Sequence, residues 1–230
     1  MLAGTQRIKD LFNNNEFEVF IVCGKNGYGK SAYCNRLLAE VYSIDGSSTN
    51  WSVPLLTQKI GFHPMKVISR WDKMKKRDYA YHWDDAGAWL HALDYQDFFV
   101  KSVGKFLQTA RTKFGCIMFS CIDKADIISK IRNFKSAVLI DITKHGNIPN
   151  APGERKFKRL ATAWRYWEAR SGKTGYAYEW EEPFSCKMPD KFFEWYEPVR
   201  NKYANMCIAD MRIRLQEKKD IMRLSELSDI

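Results

Sequence analysis

The segment GKNGYGKS, Gly24 to Ser31, places three glycines and two lysines directly after an apolar run and directly before a helix-like one. Its spacing, G-x-x-x-x-G-K-[ST] with Gly24, Gly29, Lys30 and Ser31, is that of the phosphate-binding loop, or Walker A motif. A random chain of this length matches that pattern roughly 1% of the time at average residue usage, so an incidental glycine turn is a poor explanation. The residue types suit the chemistry. Glycines let the backbone adopt the unusual φ/ψ values that turn successive N–H groups inward as an anion nest. The Lys30 ammonium would reach the β- and γ-phosphate oxygens, and the Ser31 hydroxyl would ligate Mg²⁺. Gly24, Lys25, Asn26, Gly27, Tyr28, Gly29, Lys30, Ser31 and Ala32 are therefore the candidate nucleotide contacts. Of these, Lys25 has no obligatory role and reads as a solvated charge beside the phosphates.

A triphosphate site of this kind also needs a carboxylate at the tip of a neighbouring strand, and YAYHWDDAG supplies two. Asp84 is the choice for the Mg²⁺ shell, the Walker B role. Asp85 would then polarise the attacking water, although its side chain is shorter than the glutamate often found there. The competing reading is that both acids cap the next helix. Ser120, at the end of CIMFSC, would contact the γ-phosphate or the lytic water, or else is simply a turn former. Arg111 in QTARTKF and Arg132 in SKIRNF are the candidates for a charge delivered to a neighbouring subunit's site, as multi-subunit ATPases use one. Otherwise they are surface arginines at helix C-termini.

The elements that must position these groups are legible as alternating apolar runs. Glu16 to Cys23, Asp78 to Trp83, Cys116 to Cys121 and Ala137 to Ile142 read as short buried strands. Between them, Ser31 to Tyr42, Tyr95 to Thr112 and Asp123 to Phe134 carry apolar residues at helical spacing, and DGSSTN closes the first of these with turn residues. Strands alternating with helices predict an α/β fold with a mostly parallel sheet covered on both faces. After HGNIPNAPGE, a connector, RLATAWRYWEAR and GYAYEWEEPF read as a β-hairpin joined by SGKTG. From Pro189 the chain is amphipathic, and one or two helices interrupted near Pro198 are expected. The organisation expected is a core over residues 1–150, with a hairpin and helical extension over 151–230 packed on it.

Composition narrows the partners. With 230 residues, 45% hydrophobic, the chain can bury a substantial core. A net charge of +10 favours acidic partners, with nucleic acid ahead of anionic membrane. No run approaches the ~20 apolar residues of a membrane span, and the N-terminus has no apolar signal region. A cytoplasmic protein is expected, in the host cytoplasm if it is viral. Six cysteines without a CxxC pair, and four histidines away from ligand spacing, argue against a metal–thiolate site.

Taken in order, GKNGYGKS, HWDDAG and CIMFSC resemble the additional-strand, catalytic-acid branch of P-loop NTPases, the group that holds the AAA+, RecA-like and HerA/FtsK-like ATPases. The resemblance covers about Glu16 to Asp141. The WDDAG wording and the MPDKFFEWYEPVRNKY tail are similar to small ATPases of archaeal viruses and plasmids. The resemblance implies a three-layer α/β/α architecture in which another strand separates the P-loop strand from the Walker B strand. Onto this sequence it carries Gly24, Gly29, Lys30, Ser31 and Asp84, and then Asp85 and Ser120. Two departures stand out: Asp85 replaces the usual glutamate, and no sensor-2 arginine is evident in a helical lid.

The hairpin interleaves Lys156, Lys158, Arg159, Arg165, Arg170 and Lys173 with Trp164, Tyr166, Trp167, Tyr176, Tyr178 and Trp180. Cations beside rings that stack on bases form a nucleic-acid surface, unless the rings are core. The reading that results is Mg-dependent ATP hydrolysis coupled to nucleic acid, DNA first, by a homo-oligomer acting as a loader, initiator, translocase or packaging ATPase. The alternatives are a small-molecule or nucleotide kinase and a nucleotide-binding switch without fast hydrolysis.

Overall fold

The apolar runs become strands because they are buried on both faces. Every residue of β1, Glu18–Cys23, is buried, and so is every residue of β4, Phe114–Ser120. The computed structural model describes residues 1–43, 51–144 and 156–228. The DGSSTN turn and the HGNIPNAPGE connector lie outside the described residues.

In chain order the elements are α1 (Ala3–Asn13), β1, α2 (Lys30–Tyr42), α3 (Val53–Lys59), β2 (Ile60–Gly61), α4 (Pro64–Asp72), β3 (Asp78–Trp83), α5 (Phe98–Leu107), β4, α6 (Ser129–Arg132), β5 (Ala137–Lys144), β6 (Lys158–Glu168), β7 (Thr174–Ser185) and α7 (Asp190–Ser228). One sheet of seven strands runs in the order β2-β3-β4-β1-β5-β6-β7. Its first five members pair parallel, and β5-β6 and β6-β7 pair antiparallel. This is a three-layer α/β/α, P-loop-like fold. As the resemblance implied, β4 separates β1 from β3.

Period-two alternation sorts the strand residues between the layers. Val19, Ile21, Trp83, Ile117, Phe119 and Leu139 face a core shared with Val67 and Trp71 of α4 and with Val100, Val103 and Leu107 of α5. Trp71 stacks on Phe106 at 4.9 Å and meets Trp83 edge-on at 5.9 Å. The opposite face carries α1 and α2, so the helix that follows the glycine loop lies directly against β1, β3 and β4.

Met1–Pro189 forms one compact unit, and a second begins at Asp190. The hairpin strands continue the central sheet, tied in by buried charge. Glu18, 4% exposed, receives Arg7 from α1 and Arg165 from β6 (2.9 Å), and Arg165 also holds Glu179 of β7 at 2.6 Å. Two further buried carboxylates close the start of α1. Glu40 accepts from the Leu2 N–H (2.7 Å) and the Thr5 hydroxyl (2.8 Å), and Glu182 accepts from the amides of Ala3 and Gly4 and from the Tyr33 hydroxyl (2.6 Å). Carboxylates at a helix N-terminus complement its unpaired N–H groups, which is why both tolerate burial.

Arg77 staples the other end of α1 to the start of the parallel strands. Its guanidinium donates to the carbonyls of Phe12 (2.5 Å), Leu11 (3.2 Å), Glu16 and Arg111 (2.8 Å). Removing a charged donor from several part-buried carbonyls costs about 2 kcal/mol, so Arg77→Ala should lower unfolding stability in urea by that amount.

Two helical expectations are corrected. Asp123 to Phe134 is not one helix: a 3₁₀ turn at Lys124–Asp126 is closed by a capping box from Asp123, and only Ser129–Arg132 is α-helical. The break falls at Ile127, which bridges to His91, and at Ile128, whose N–H bonds the Leu90 carbonyl, so tertiary pairing overrides helical spacing. At the C-terminus no interruption occurs at Pro198. A single 39-residue helix, α7, runs through it, although a proline has no N–H to donate to the preceding turn.

Candidate nucleotide site

The glycine loop joins β1 to α2 through backbone that only glycine adopts readily. Gly24 has φ +146° and Gly29 has φ +94°, and both are sterically boxed in. A Cβ on Gly24 would stand 2.6 Å from the Ile142 carbonyl oxygen, and one on Gly29 would stand 2.6 Å from the Cys186 Cβ. Gly29 is the N-cap of α2, and Lys30, Ser31 and Ala32 open the helix, so their N–H groups have no intrahelical acceptor. Lys30, 7% exposed, lays its Nζ on the carbonyls of Gly24 (2.8 Å) and Lys25 (3.3 Å). The ammonium is thus held over the loop by weak acceptors that an anion would displace.

Asp84 follows β3 and is fully buried. Its Oδ1 accepts from the Ser31 hydroxyl at 2.7 Å, from the Ser120 hydroxyl at 2.5 Å and from the Asp85 N–H at 3.1 Å. The Asp85 N–H also points at Ser120 Oγ, 2.9 Å away. Asp85 is half-buried, and its φ of +51° is left-handed, a conformation uncommon outside glycine and held here by those two contacts. Lys30, Ser31, Asp84, Asp85 and Ser120, drawn from three separate stretches of sequence, therefore meet at one end of the sheet. The capping reading of Asp84 fails on geometry, because its Oδ1 accepts from Ser31 at the start of α2 and from Ser120 at the end of β4.

Two residues that sequence reasoning passed over complete this cluster. His82 is fully buried, with Nδ1 2.8 Å from Asn35 Oδ1 on α2 and Nε2 3.4 Å from Ser120 Oγ and 3.5 Å from Asp84 Oδ1. Burial pushes the imidazole pKa down more than the Asp84 carboxylate raises it, so the ring is neutral and Nδ1 is the donor to Asn35. The signal was available: His82 on β3 is two residues before Asp84, and where the extended chain leaves the strand the two share a face.

Mg²⁺ fits this donor set. It takes oxygen ligands and keeps several waters, so one hydroxyl and one carboxylate, Ser31 and Asp84, suffice beside phosphate. Among the described residues no group of three or more His, Cys, Asp or Glu offers a different metal site. Cys23 and Cys121, at the neighbouring ends of β1 and β4, sit Sγ to Sγ at 3.3 Å, and that contact with burial drives the Cys23 pKa far up. Burial also raises Cys34, Cys116 and Cys186.

The two arginines do not join the cluster. Arg111 lines a cavity of about 360 Å³ with Leu11, Glu16, Phe17, Phe134 and Ser136, at the start of the parallel strands. The length of the seven-residue β4, roughly 20 Å, separates it from the glycine loop. Arg132 donates to the Lys124 carbonyl at 3.4 Å, in the turn that follows β4. No hydrogen bond joins either arginine to the Lys30–Asp84 cluster among the described residues, and the role expected of them is in a neighbour's site.

The hairpin residues divide by environment. Arg159 is buried and Arg165 is bound in the Glu18 network; Trp180 packs on Phe20 at 5.9 Å. Lys156, Lys158, Trp167, Arg170, Lys173 and Tyr178 face outward. Trp167 lies across the cross-strand Gly175, whose absent side chain makes room for the ring.

No protein-family model matches this chain. It is 24% identical over 211 residues to uncharacterized protein B-251 of Sulfolobus spindle-shape virus 1, covering 89% of this chain and 82% of that one. Among solved structures, the N-terminal domain of zonular occludens toxin from Neisseria meningitidis aligns with 77% of this chain and 97% of its own, at TM-score 0.42 and 14% identity. The architecture above rests on strand order and connection, independently of either likeness. No helix among the described residues is long and apolar enough to cross a membrane.

Proposed function

We propose that this chain is a viral P-loop ATPase that hydrolyses ATP with Mg²⁺ and couples hydrolysis to work on nucleic acid, DNA in the first instance, as a homo-oligomer in the host cytoplasm. One observation carries the reading: Ser31 Oγ and Asp84 Oδ1 lie 2.7 Å apart beside a glycine loop whose lysine is held over it. Serine, aspartate and lysine each recur in other contexts, but a serine and a lysine at the start of a helix meeting an acid from another strand tip suit Mg·triphosphate.

In this account Lys30 exchanges the carbonyls of Gly24 and Lys25 for phosphate oxygens, while the N–H groups at the start of α2 receive the polyphosphate. Ser31 and Asp84 hold Mg²⁺, which when bound offsets the charge on the β- and γ-oxygens. Asp85, fixed by its own amide, accepts the proton of the attacking water, and Ser120 holds Asp84 and Asp85 in register. Arg111 or Arg132 acts in a neighbouring subunit's site. The outward cations Lys156, Lys158, Arg170 and Lys173, with Trp167 and Tyr178, form the nucleic-acid surface.

Steady-state phosphate release tests this. The expected result is Mg-dependent release that rises with added single- or double-stranded DNA and disappears in Lys30→Ala. Release that is absent, or unaltered by Lys30→Ala, contradicts it. Transfer of phosphate to a nucleoside monophosphate, with no response to DNA, points to a kinase.

A further inference from the structure

We infer that Arg159 is a second phosphate-binding cation of the same site, contributed by the hairpin. The inference rests on the nucleotide reading above and adds to it a residue that neither the loop pattern nor the paired acids disclose. Arg159 lies on β6 and is 8% exposed. Its Nε donates to the carbonyl of Tyr28 in the glycine loop at 3.0 Å, and its Nη1 donates to the carbonyls of Lys156 (2.9 Å) and Lys158 (2.8 Å). A guanidinium has five N–H donors, so the two on Nη2 have no partner among the described residues. No carboxylate among the described residues pairs with it either.

Arg159 is thus a cation with no counter-ion among the described residues, and its Nη2 end still reaches solvent, open to an incoming anion. The neighbourhood sharpens the imbalance. Arg159 stands directly opposite Lys144 of β5 in the antiparallel ladder, and Lys144 Nζ lies 5.3 Å from the centre of the Tyr28 ring. Like charges opposite one another on paired strands are destabilising. Lys30 belongs to the same loop. Three cations thus border the loop, and a polyphosphate is the anion that would satisfy them together. The loop packs closely on the hairpin base, where a Cβ on Gly29 would meet Cys186 at 2.6 Å and the Arg159 Cγ at 3.8 Å, and the Tyr28 carbonyl holds the guanidinium at the loop.

Two variants separate charge from scaffolding. Arg159→Gln keeps one amide donor for the Tyr28 carbonyl and loses the charge; Arg159→Lys keeps the charge and loses the fork. The probes are Mg·ATP and inorganic pyrophosphate, titrated by calorimetry. Arg159→Gln should raise both dissociation constants about 10-fold or more, and Arg159→Lys should recover most of the loss. Wild-type affinity in Arg159→Gln, or equal loss in both variants, overturns the inference. If the unsubstituted chain binds and Lys30→Ala does not, such a result removes Arg159 alone; if the unsubstituted chain binds neither probe, the nucleotide reading falls and the inference with it. Should Arg159→Gln fail to fold, the Nε–Hε resonance of Arg159 in the unsubstituted chain decides: it should shift on adding pyrophosphate, and an unmoved resonance overturns the inference.

Discussion

Asp84→Asn is expected to lower Mg-dependent ATP hydrolysis at least about 100-fold while the fold persists. Asparagine is nearly isosteric, and its Oδ1 still accepts from Ser31 and Ser120, so the hydrogen bonds around this buried position survive. What is lost is the negative charge that holds Mg²⁺ beside Ser31. A 100-fold fall corresponds to about 2.7 kcal/mol of transition-state stabilisation. The measurement is phosphate release across a Mg²⁺ titration, with thermal unfolding alongside. Hydrolysis within threefold of wild type in a folded variant rules out the metal role of Asp84. Asp85→Asn should behave differently, slowing turnover yet leaving Mg·ATP bound, because Asp85 is assigned to water and not to metal.

Gly29→Val carries the second large effect, this time on stability and binding together. Valine at φ +94° is strained by about 1–3 kcal/mol, and its Cβ would press on the Cys186 Cβ at 2.6 Å, adding overpacking of similar size. A loss of about 3 kcal/mol or more in urea unfolding is expected, with no measurable nucleotide binding. Gly27→Ala is the control: it also has positive φ, but a Cβ there meets nothing within 4 Å, so it should cost only about 1 kcal/mol. Equal stability losses in Gly27→Ala and Gly29→Val would show that the packing of loop on hairpin base is not what constrains Gly29.

Much of this arrangement was legible beforehand because it is governed by local chemistry. The strand that precedes the loop, the helix that follows it and the acid at the next strand tip are each announced by apolar runs ending at glycine or aspartate. Strand order followed from resemblance, and β4 does lie between β1 and β3. What escaped depends on pairing across the chain. Ile127 and Ile128 sit at helical spacing but are taken by His91 and Leu90. Arg159 and Arg165 read as two of a row of hairpin cations, yet one clasps the Tyr28 carbonyl and the other a buried glutamate. No periodicity distinguishes a cation that faces solvent from one that faces a loop 131 residues earlier. Asn35 was hidden for a related reason, since an asparagine inside a helix declares a partner only when its strand neighbour is known.

The central claim is that the backbone from Gly24 to Ser31, with Lys30, takes up the polyphosphate of Mg·ATP. Calorimetric titration of Mg·ATP into the full chain tests it most directly. The account predicts saturable binding at one site per chain, competed by ADP and pyrophosphate and abolished by Lys30→Ala in a protein that unfolds at the wild-type temperature. Binding of equal strength in wild type and Lys30→Ala, or none in either, would contradict it.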